Sequence, residues 1–237
     1  MQPHKILFIS DLHLDPNQPS ITHTFFYFLE RIAPTADALY ILGDFFESYI
    51  GDDEYSDFLD SIINRLHRAT QSGLPIFFMH GNRDFLVGKK FAKRTGMTLI
   101  SDPTNITLYN QKIVLMHGDS LCTDDKNHQR FRKIAHNKFY QKIFLSLPLS
   151  FRQTCANKLR EKSMQQNKIK PAEIMDVNQT AVNDVLKKYN AEKIIHGHTH
   201  RPMISENRIV LGAWHERGNY LRVDENGFNI LQITDNR

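Results

Sequence analysis

Polar residues of the types that bind metal ions follow five short apolar segments of the chain. They are Asp11 and His13, Asp44, Asn82, His117, and His198 and His200. Carboxylate, amide and imidazole groups without a thiolate suit borderline divalent ions such as Mn, Fe or Zn better than Ca or Mg, which prefer all-oxygen shells. Because seven ligands are too many for one tetrahedral site, we predict two ions that share one carboxylate. Two ions about 3.5–4 Å apart would clamp the attacking and leaving oxygens of an in-line displacement at phosphorus.

Taken singly, most of these clusters are also typical of ordinary turns. An Asp-x-His pair after a strand is often a turn with a surface histidine, and Gly-Asp is a common turn dipeptide. The pair His198 and His200 is more specific, because alternation along a strand sends both rings to one face. Two unpaired buried imidazoles would be unfavourable there. The recurrence of ligand types after five successive segments is what predicts a metal site.

The elements that would position these residues alternate between strands and amphipathic helices. Short runs rich in Ile, Leu, Phe and Val predict strands at residues 5–10, 38–42, 76–79, 113–116 and 193–195. Helical periodicity occupies residues 21–32, 55–72, 89–95 and 175–189, and a late strand at 209–211 precedes a hairpin turn at 224–227. This alternation predicts an α/β fold. Because the carboxyl ends of the strands meet at one crevice of such a sheet, the five clusters are expected to converge there.

The length allows one large domain or two small ones, and we predict a single domain over residues 1–237. The chain has 237 residues, 41% of them hydrophobic and 24% charged, which excludes a collagen, a disordered tail and a disulfide-stabilised miniprotein. Its two cysteines, Cys122 and Cys155, form no Cys-x-x-Cys pair and fit a reducing compartment. The start lacks the features of a signal peptide, and no stretch reaches the ~18 apolar residues of a membrane span. We therefore expect a cytoplasmic protein.

The positive charge of the chain is concentrated in one segment. Residues 121–170 contain 12 Lys and Arg against three acidic residues, a net charge of +9, whereas the whole chain carries +4. Apolar residues at three- and four-residue spacing, with a break at Pro148, predict a helical hairpin in this segment. Taken alone, the segment is best interpreted as a helix pair that its charges keep soluble.

The ordered clusters resemble the calcineurin-like metallophosphoesterase superfamily. Within that superfamily, five longer blocks are similar to the UDP-2,3-diacylglucosamine hydrolase family: IGDD at 50–53, GNRDFL at 81–86, LCTDD at 121–125, IMDVN at 174–178 and LGAWH at 211–215. The resemblance implies a layered α/β/β/α sandwich with a helical lid insertion at 121–170. Such a lid would stand over the crevice, with an apolar stripe for acyl chains and cations for phosphates or an anionic membrane surface. It also implies hydrolysis of the pyrophosphate bond of UDP-2,3-diacylglucosamine to UMP and 2,3-diacylglucosamine 1-phosphate (lipid X) in lipid A biosynthesis.

The same resemblance assigns the ligands of two Mn²⁺ ions. Asp11, His13, Asp44 and His200 would hold one ion, and Asp44, Asn82, His117 and His198 the other, with Asp44 shared. A hydroxide activated by the two metals would be the nucleophile, because coordination lowers the pKa of water from 15.7 toward ~7. Catalytic roles fall to Asn82 and Arg83. The residues implied in substrate binding are Asn82, Arg83, Asp125, Arg160, Ser163, Asn167, Lys170 and His198.

Simpler interpretations remain for several of these residues. Asp125 could cap the helix that begins beside it, and Lys170 could be one of many solvated cations. Tyr49 stands where many members of the hydrolase family have Trp, which puts any contact that depends on the indole in doubt. His215 lies in the LGAWH block without an assigned role.

Arg83 carries separate information about the leaving group. Many members of the superfamily have His after the Gly-Asn pair, which suits protonation of a leaving alkoxide, whereas arginine does not deprotonate in proteins. The substrate should therefore release a group that needs no proton, such as a phosphate monoester with a second pKa near ~6. Arg83 would instead stabilise charge on the phosphoryl oxygens. The alternative for Arg83 is a salt bridge with Asp84.

Two other functions stay open at this stage. Another metal-dependent phosphoesterase, such as a nucleotide pyrophosphatase, nuclease or phosphatase, would share the metals, although Arg83 argues against an alkoxide leaving group. A non-enzymatic nucleic-acid-binding protein would explain the basic segment through phosphate contacts but not the Asp and His clusters. We therefore expect no nucleic-acid partner. We expect a monomer bound peripherally to the cytoplasmic face of an inner membrane.

Overall fold

The structure is a computed structural model that describes residues 5–169, 174, 176–215 and 217–234, with side chains except at 164 and 166–169. The strands in these ranges are β1 (Lys5–Ile9), β2 (Ala38–Leu42), β3 (Ile76–Met79), β4 (Thr98–Ile100), β5 (Thr104–Leu108), β6 (Gln111–Leu115), β7 (Lys193–His196), β8 (Met203–Ile204), β9 (Arg208–Val210), β10 (Asn219–Asp224) and β11 (Gly227–Gln232). The α-helices are α1 (Pro19–Tyr27), α2 (Asp57–Gln71), α3 (Lys89–Thr95), α4 (Lys126–Ala135), α5 (Lys138–Leu145), α6 (Leu149–Ile169) and α7 (Gln179–Tyr189).

The strands form two sheets that pack face to face. One sheet has the order β11-β10-β1-β2-β3-β4 and the other β5-β6-β7-β9-β8. Strands β1, β2 and β3 are parallel, and so are β6, β7 and β9. Successive side chains of a strand point to opposite faces. In β1, Ile6 and Phe8 accordingly join a buried cluster with residues of the second sheet.

The outer faces of the two sheets are covered by helices. Leu7 and Ile9 of β1 pack in a cluster that includes residues of α1, α2 and α3. On the second sheet, Val114 and Ile194 pack against Val182 of α7. The layers are therefore helices, sheet, sheet, helices, which confirms the predicted α/β/β/α sandwich.

The basic segment contains three helices, so the predicted hairpin of two is wrong. Asn137 is the N-cap of α5, since its side chain accepts a hydrogen bond from the Phe139 backbone N–H. This new helix start separates α4 from α5. Apolar residues keep their helical spacing across the break, so their periodicity does not indicate it. Helix α6 begins at Leu149, directly after Pro148.

Three short strands were also not predicted. β4, β5 and β8 contain exposed or half-buried residues, so they lack the continuous apolar run of a buried strand. Helix α7 begins at Gln179, where the Asn178 side chain accepts hydrogen bonds from two backbone N–H groups, and not at 175. Within the described ranges, no helix is long and apolar enough to cross a bilayer.

Candidate metal centre

The loops after β1 and β2 continue the parallel pairing of the two strands. The Asp11 backbone N–H donates to the Gly43 carbonyl oxygen at 3.1 Å, and the His13 N–H donates to the Asp44 carbonyl oxygen at 3.0 Å. This pairing places Asp11, His13 and Asp44 side by side at the carboxyl end of the sheet, where the sequence predicted that the clusters would meet.

Five of the predicted ligands have a left-handed backbone conformation. Asp11, His13, Asp44, His198 and His200 have φ angles between 50° and 67°. Such a conformation is uncommon for residues other than glycine and costs on the order of 1–3 kcal/mol for each. Backbone strain of this kind concentrates where the surrounding structure holds side chains for a function. Its recurrence at five of seven predicted ligands supports a site at this edge.

Asp11, His13 and His200 form the first group of converging ligand atoms. His13 Nε2 lies 3.3 Å from His200 Nε2, which in turn lies 3.3 Å from Asp11 Oδ1. The other carboxylate oxygen, Oδ2, accepts hydrogen bonds from the Ser10 hydroxyl at 2.5 Å and from the His198 backbone N–H at 2.9 Å. The two donors fix the Asp11 carboxylate so that Oδ1 faces the two imidazoles.

Asp44, His117 and His198 form the second group. The His117 Nδ1 lies 2.9 Å from the Leu42 carbonyl oxygen, which accepts its hydrogen bond. Nδ1 therefore carries a proton, and Nε2 is the atom that can ligate a metal. This Nε2 lies 3.7 Å from Asp44 Oδ1 and 3.0 Å from Asn82 Oδ1. Asp44 converges with this group, and its sharing by both ions stays a prediction.

The electrostatics of the two groups favour bound cations. Burial alone would lower the pKa of His117, but the carboxylates of Asp44 and Asp119 raise that pKa to about 9. Burial and the nearby His117 lower the pKa of His198 to about 3. For Asp11, burial acts to raise the pKa, and the contact with His200 holds it well below its usual range. The centre thus combines ionised carboxylates, which attract positive charge, with the neutral imidazole of His198, and this donor set fits two divalent cations.

Arg83 pairs with Glu47 and not with Asp84. The Arg83 Nη1 lies 2.5 Å from Glu47 Oε1, and its backbone N–H donates to Asp44 Oδ1 at 2.9 Å. Asp84 is fully buried and accepts hydrogen bonds from two backbone N–H groups. The alternative of an Arg83–Asp84 salt bridge is therefore wrong. The Arg83 Nε lies 4.0 Å from Asp44 Oδ2, which places the guanidinium beside the metal centre.

Among the further residues implied in substrate binding, Arg160 and Ser163 lie on α6 and Asp125 directly precedes α4. Asp125 caps α4, since its side chain accepts a hydrogen bond from the His128 backbone N–H at 3.1 Å. On α6, the Arg160 Nη1 lies 3.3 Å from Asp15 Oδ2, and half-buried Ser163 follows one turn later. The side chain of Asn167 and the whole of Lys170 fall outside the described residues. Substrate contacts of these residues stay predictions.

Sequence reasoning missed His128, which lies against the metal centre. The ring centroids of His128 and His198 are 5.3 Å apart, and His128 Nε2 lies 3.8 Å from Asp119 Oδ2. Asp119 also accepts a hydrogen bond from Arg132 Nε at 2.8 Å. The sequence signal for this contact is weak: Asp119, the partner of His128, follows the predicted ligand His117 by two residues. Tertiary packing, and not a sequence motif, brings α4 to the loop that contains Asp119.

Arginines attach the basic helices to loops of the core. Besides Arg132 on α4, Arg152 of α6 is buried and forms an ion pair with Asp53 of the IGDD block. A Cβ at Gly51, which has φ +137°, would collide with the Arg152 guanidinium. Asp52 of the same block accepts hydrogen bonds from the backbone N–H groups of Gly88, Lys90 and Phe91, where α3 begins. The block therefore connects two helices to the sheet.

Tyr49 and His215 have structural partners in this region. The Tyr49 hydroxyl donates to Asp52 Oδ1 at 2.9 Å, and the ring is almost fully buried. Tyr49 therefore stabilises the IGDD block. The His215 Nε2 lies 3.3 Å from His200 Nδ1, on the side of the His200 ring away from the ligand atom. His215 is thus in a position to orient His200.

The chain is similar to known proteins over almost its whole length. The profile of the family described as calcineurin-like phosphoesterase matches residues 4–202. A protein of Pectobacterium carotovorum subsp. carotovorum (strain PC1) named UDP-2,3-diacylglucosamine hydrolase is 48% identical, across 96% of this chain and 98% of the relative. A relative of the same name in Coxiella burnetii (strain RSA 331 / Henzerling II) is 51% identical, across 95% of this chain and 96% of the relative. Another in Serratia proteamaculans (strain 568) is 46% identical, across 96% of this chain and 98% of the relative.

Proposed function

The chain belongs to the calcineurin-like phosphoesterase family, and we propose that it hydrolyses the pyrophosphate bond of UDP-2,3-diacylglucosamine, a step of lipid A biosynthesis. The products would be UMP and 2,3-diacylglucosamine 1-phosphate. The observation that carries the hydrolytic function is the convergence of two groups of buried and half-buried ligands at one edge of the sheet. The substrate rests on the name of relatives that are 46–51% identical over nearly the whole chain.

We propose that two divalent cations, Mn²⁺ by resemblance to the family, occupy these two groups. Asp11, His13 and His200 would hold one, and His117, His198 and Asn82 the other, with Asp44 shared between them. When bound, such ions polarise phosphoryl oxygens and lower the pKa of water. The Leu42 carbonyl oxygen keeps the His117 ring in the tautomer that this arrangement needs.

Arg83 would stabilise the negative charge of the reacting pyrophosphate. Its guanidinium lies beside Asp44 and is paired with Glu47 in the structure. A guanidinium can pair with two phosphoryl oxygens at once, and arginine does not act as a general acid at neutral pH. The position therefore favours cleavage that releases a phosphate, such as hydrolysis of a pyrophosphate, over cleavage that releases an alkoxide.

The basic helices α4–α6 would serve as a lid that contacts the acyl chains and the membrane surface. Phe139, Tyr140 and Ile143 on α5 are 67%, 51% and 48% exposed, and Phe151 on α6 is 54% exposed. Side chains of this size rarely form an exposed group without a partner. Lysines on the same helices, such as Lys142, would meet anionic phospholipids at the cytoplasmic face of the inner membrane.

The central experiment is hydrolysis of UDP-2,3-diacylglucosamine by metal-stripped protein to which single cations are returned. We expect no turnover without metal, turnover with Mn²⁺, and UMP as the nucleotide product. His117→Ala should abolish turnover, whereas His67→Ala, a matched change at an exposed residue of α2, should not. Turnover without any divalent ion, or faster cleavage of RNA or an alkyl phosphodiester than of the pyrophosphate, would contradict the proposal.

The role of the helices is tested by sedimentation with vesicles that contain anionic phosphatidylglycerol. Phe139→Ser should reduce binding to these vesicles and raise KM for long-chain substrate. Tyr55→Ser removes an aromatic ring of similar exposure, 63%, at a site outside the basic helices and serves as the control. Equal vesicle binding by both variants would argue against a membrane contact through α5.

A further inference from the structure

Glu47 is a nearly buried carboxylate that contacts three cationic or imidazole side chains. Its side chain is 12% exposed. Oε2 lies 3.0 Å from His13 Nδ1, while Oε1 lies 2.5 Å from Arg83 Nη1 and 2.9 Å from Arg160 Nε. The three partners come from the loop after β1, the loop after β3 and helix α6. One carboxylate thus joins the metal centre, the proposed catalytic arginine and the basic helices.

The backbone explains why Glu47 reaches His13. Beyond the ends of β1 and β2, the Leu14 N–H donates to the Phe45 carbonyl oxygen at 2.9 Å, and the Glu47 N–H donates to the Leu14 carbonyl oxygen at 3.1 Å. This continued pairing brings Glu47 next to the residue that follows His13. The contact therefore depends on the register between two loops and not on a flexible surface side chain.

The nitrogen of the His13 ring that Glu47 contacts determines whether Glu47 can ligate a metal or orient the ring. His13 Nε2 faces His200 Nε2 at 3.3 Å in the first ligand group, whereas Glu47 faces the other ring nitrogen. Glu47 is therefore not placed as a ligand of the same ion. A carboxylate at Nδ1 favours the proton on that nitrogen, leaves the Nε2 lone pair for a metal and restricts rotation of the ring.

We propose that Glu47 is a positioning residue of the metal centre, which orients His13 for the ion that Asp11 and His200 also hold. The proposal rests on the proposed function for the presence of metal, but not for the identity of the substrate. A carboxylate behind a ligating histidine is typically worth 10–100-fold in metal affinity or activity. The expected effect is confined to one of the two ions, because the described contacts of Glu47 include His13 and no residue of the second group.

The test is calorimetric titration of metal-free protein with Mn²⁺, which requires no substrate. In Glu47→Gln, the Kd of one site should rise about 10–100-fold, while the other changes less than threefold. The control is Glu30→Gln, which also removes a carboxylate paired with an arginine, Arg65, on a remote and exposed surface. Its two Kd values should match those of the wild type.

The outcomes separate this proposal from the proposed function. Wild-type protein that binds no Mn²⁺ would overturn both, whereas a wild type with two sites and a Glu47→Gln variant with unchanged Kd values would overturn only the role of Glu47. Equal weakening of both sites would also contradict it, because it would indicate a general disturbance of the loops. Thermal unfolding of the metal-free variants checks the fold. Should Glu47→Gln not fold, Glu47→Asp replaces it, since its shorter side chain keeps the charge but not the 3.0 Å contact.

Discussion

Replacing Arg152 by leucine should weaken the attachment of α6 to the core. The Arg152 side chain is 1% exposed and donates hydrogen bonds to the carbonyl oxygens of Ile50, at 2.5 Å, and of Leu147, at 3.0 Å. It also forms the ion pair with Asp53. Leucine fills part of the same space but donates no hydrogen bond, so the buried Ile50 carbonyl group would lose this partner.

The two carbonyl contacts should account for most of the loss. A hydrogen bond from a charged group contributes roughly 1.5–3 kcal/mol net, and leucine avoids the cost of burying the guanidinium, which offsets part of the sum. We therefore expect Arg152→Leu to lower the free energy of unfolding by about 2–4 kcal/mol. The Asp53 side chain is 54% exposed, so Asp53→Asn should cost about 1 kcal/mol or less.

Two measurements check this difference. Urea unfolding followed by the fluorescence of Trp214, the single tryptophan and a buried core residue, reports global stability. Hydrogen exchange of the backbone of residues 149–159 reports local opening of α6, which should be faster in Arg152→Leu than in Asp53→Asn. Equal losses of stability in the two variants, or exchange in α6 at the wild-type rate in Arg152→Leu, would refute the reasoning. Either result would show that the carbonyl contacts of Arg152 do not attach α6 to the core.

Three further changes test other parts of the structure. Arg83→Lys keeps the positive charge but not the paired N–H donors of the guanidinium, so kcat should fall about 10–100-fold with Mn²⁺ affinity unchanged. An unaltered kcat would show that Arg83 takes no part in the reaction. Tyr49→Phe deletes the hydrogen bond to Asp52 and should lower the free energy of unfolding by roughly 0.5–1.5 kcal/mol, again with unchanged Mn²⁺ affinity, as urea unfolding and calorimetry would show. Burial, with a nearby carboxylate, raises the pKa of Asp102 from its ordinary 3.8 to about 6. The folded state therefore binds the carboxyl proton more tightly than the unfolded state does. The contribution of Asp102 to stability falls as the pH rises from about 4 to about 6. Asp102→Asn should flatten this part of the curve of unfolding free energy against pH, and parallel curves for the two proteins would contradict the assignment.

The main strands and helices were predictable because their apolar residues are periodic. Runs such as 38–42 and 76–79 are buried on both faces and coincide with β2 and β3. Strand β5 alternates exposed and half-buried residues, and β8 has only two residues, so neither carries that signal. The break between α4 and α5 depends on one capping residue, Asn137, inside an unbroken apolar pattern.

The candidate site was predictable only as far as residue types at strand ends allow. The presence of ligand-type residues directly after strands indicated the residues that the structure gathers into two groups, because the carboxyl ends of the parallel strands lie at one edge. It could not indicate Glu47, whose position depends on pairing between two loops more than 30 residues apart in sequence. Nor could it indicate His128, since helical periodicity does not show which loop a helix contacts.

The left-handed backbone at the ligands limits how their chemistry can be probed by mutation. At Asp11 or Asp44, asparagine keeps the shape of the side chain and tolerates φ near +50°, so it tests the charge with little disturbance of the chain path. Alanine or a β-branched residue at these positions would add a conformational penalty to the loss of a ligand, and a scan of such variants would confuse misfolding with lost catalysis. His117 is absent from the positive-φ ligands, which makes its alanine variant a test of ligation uncomplicated by the main chain.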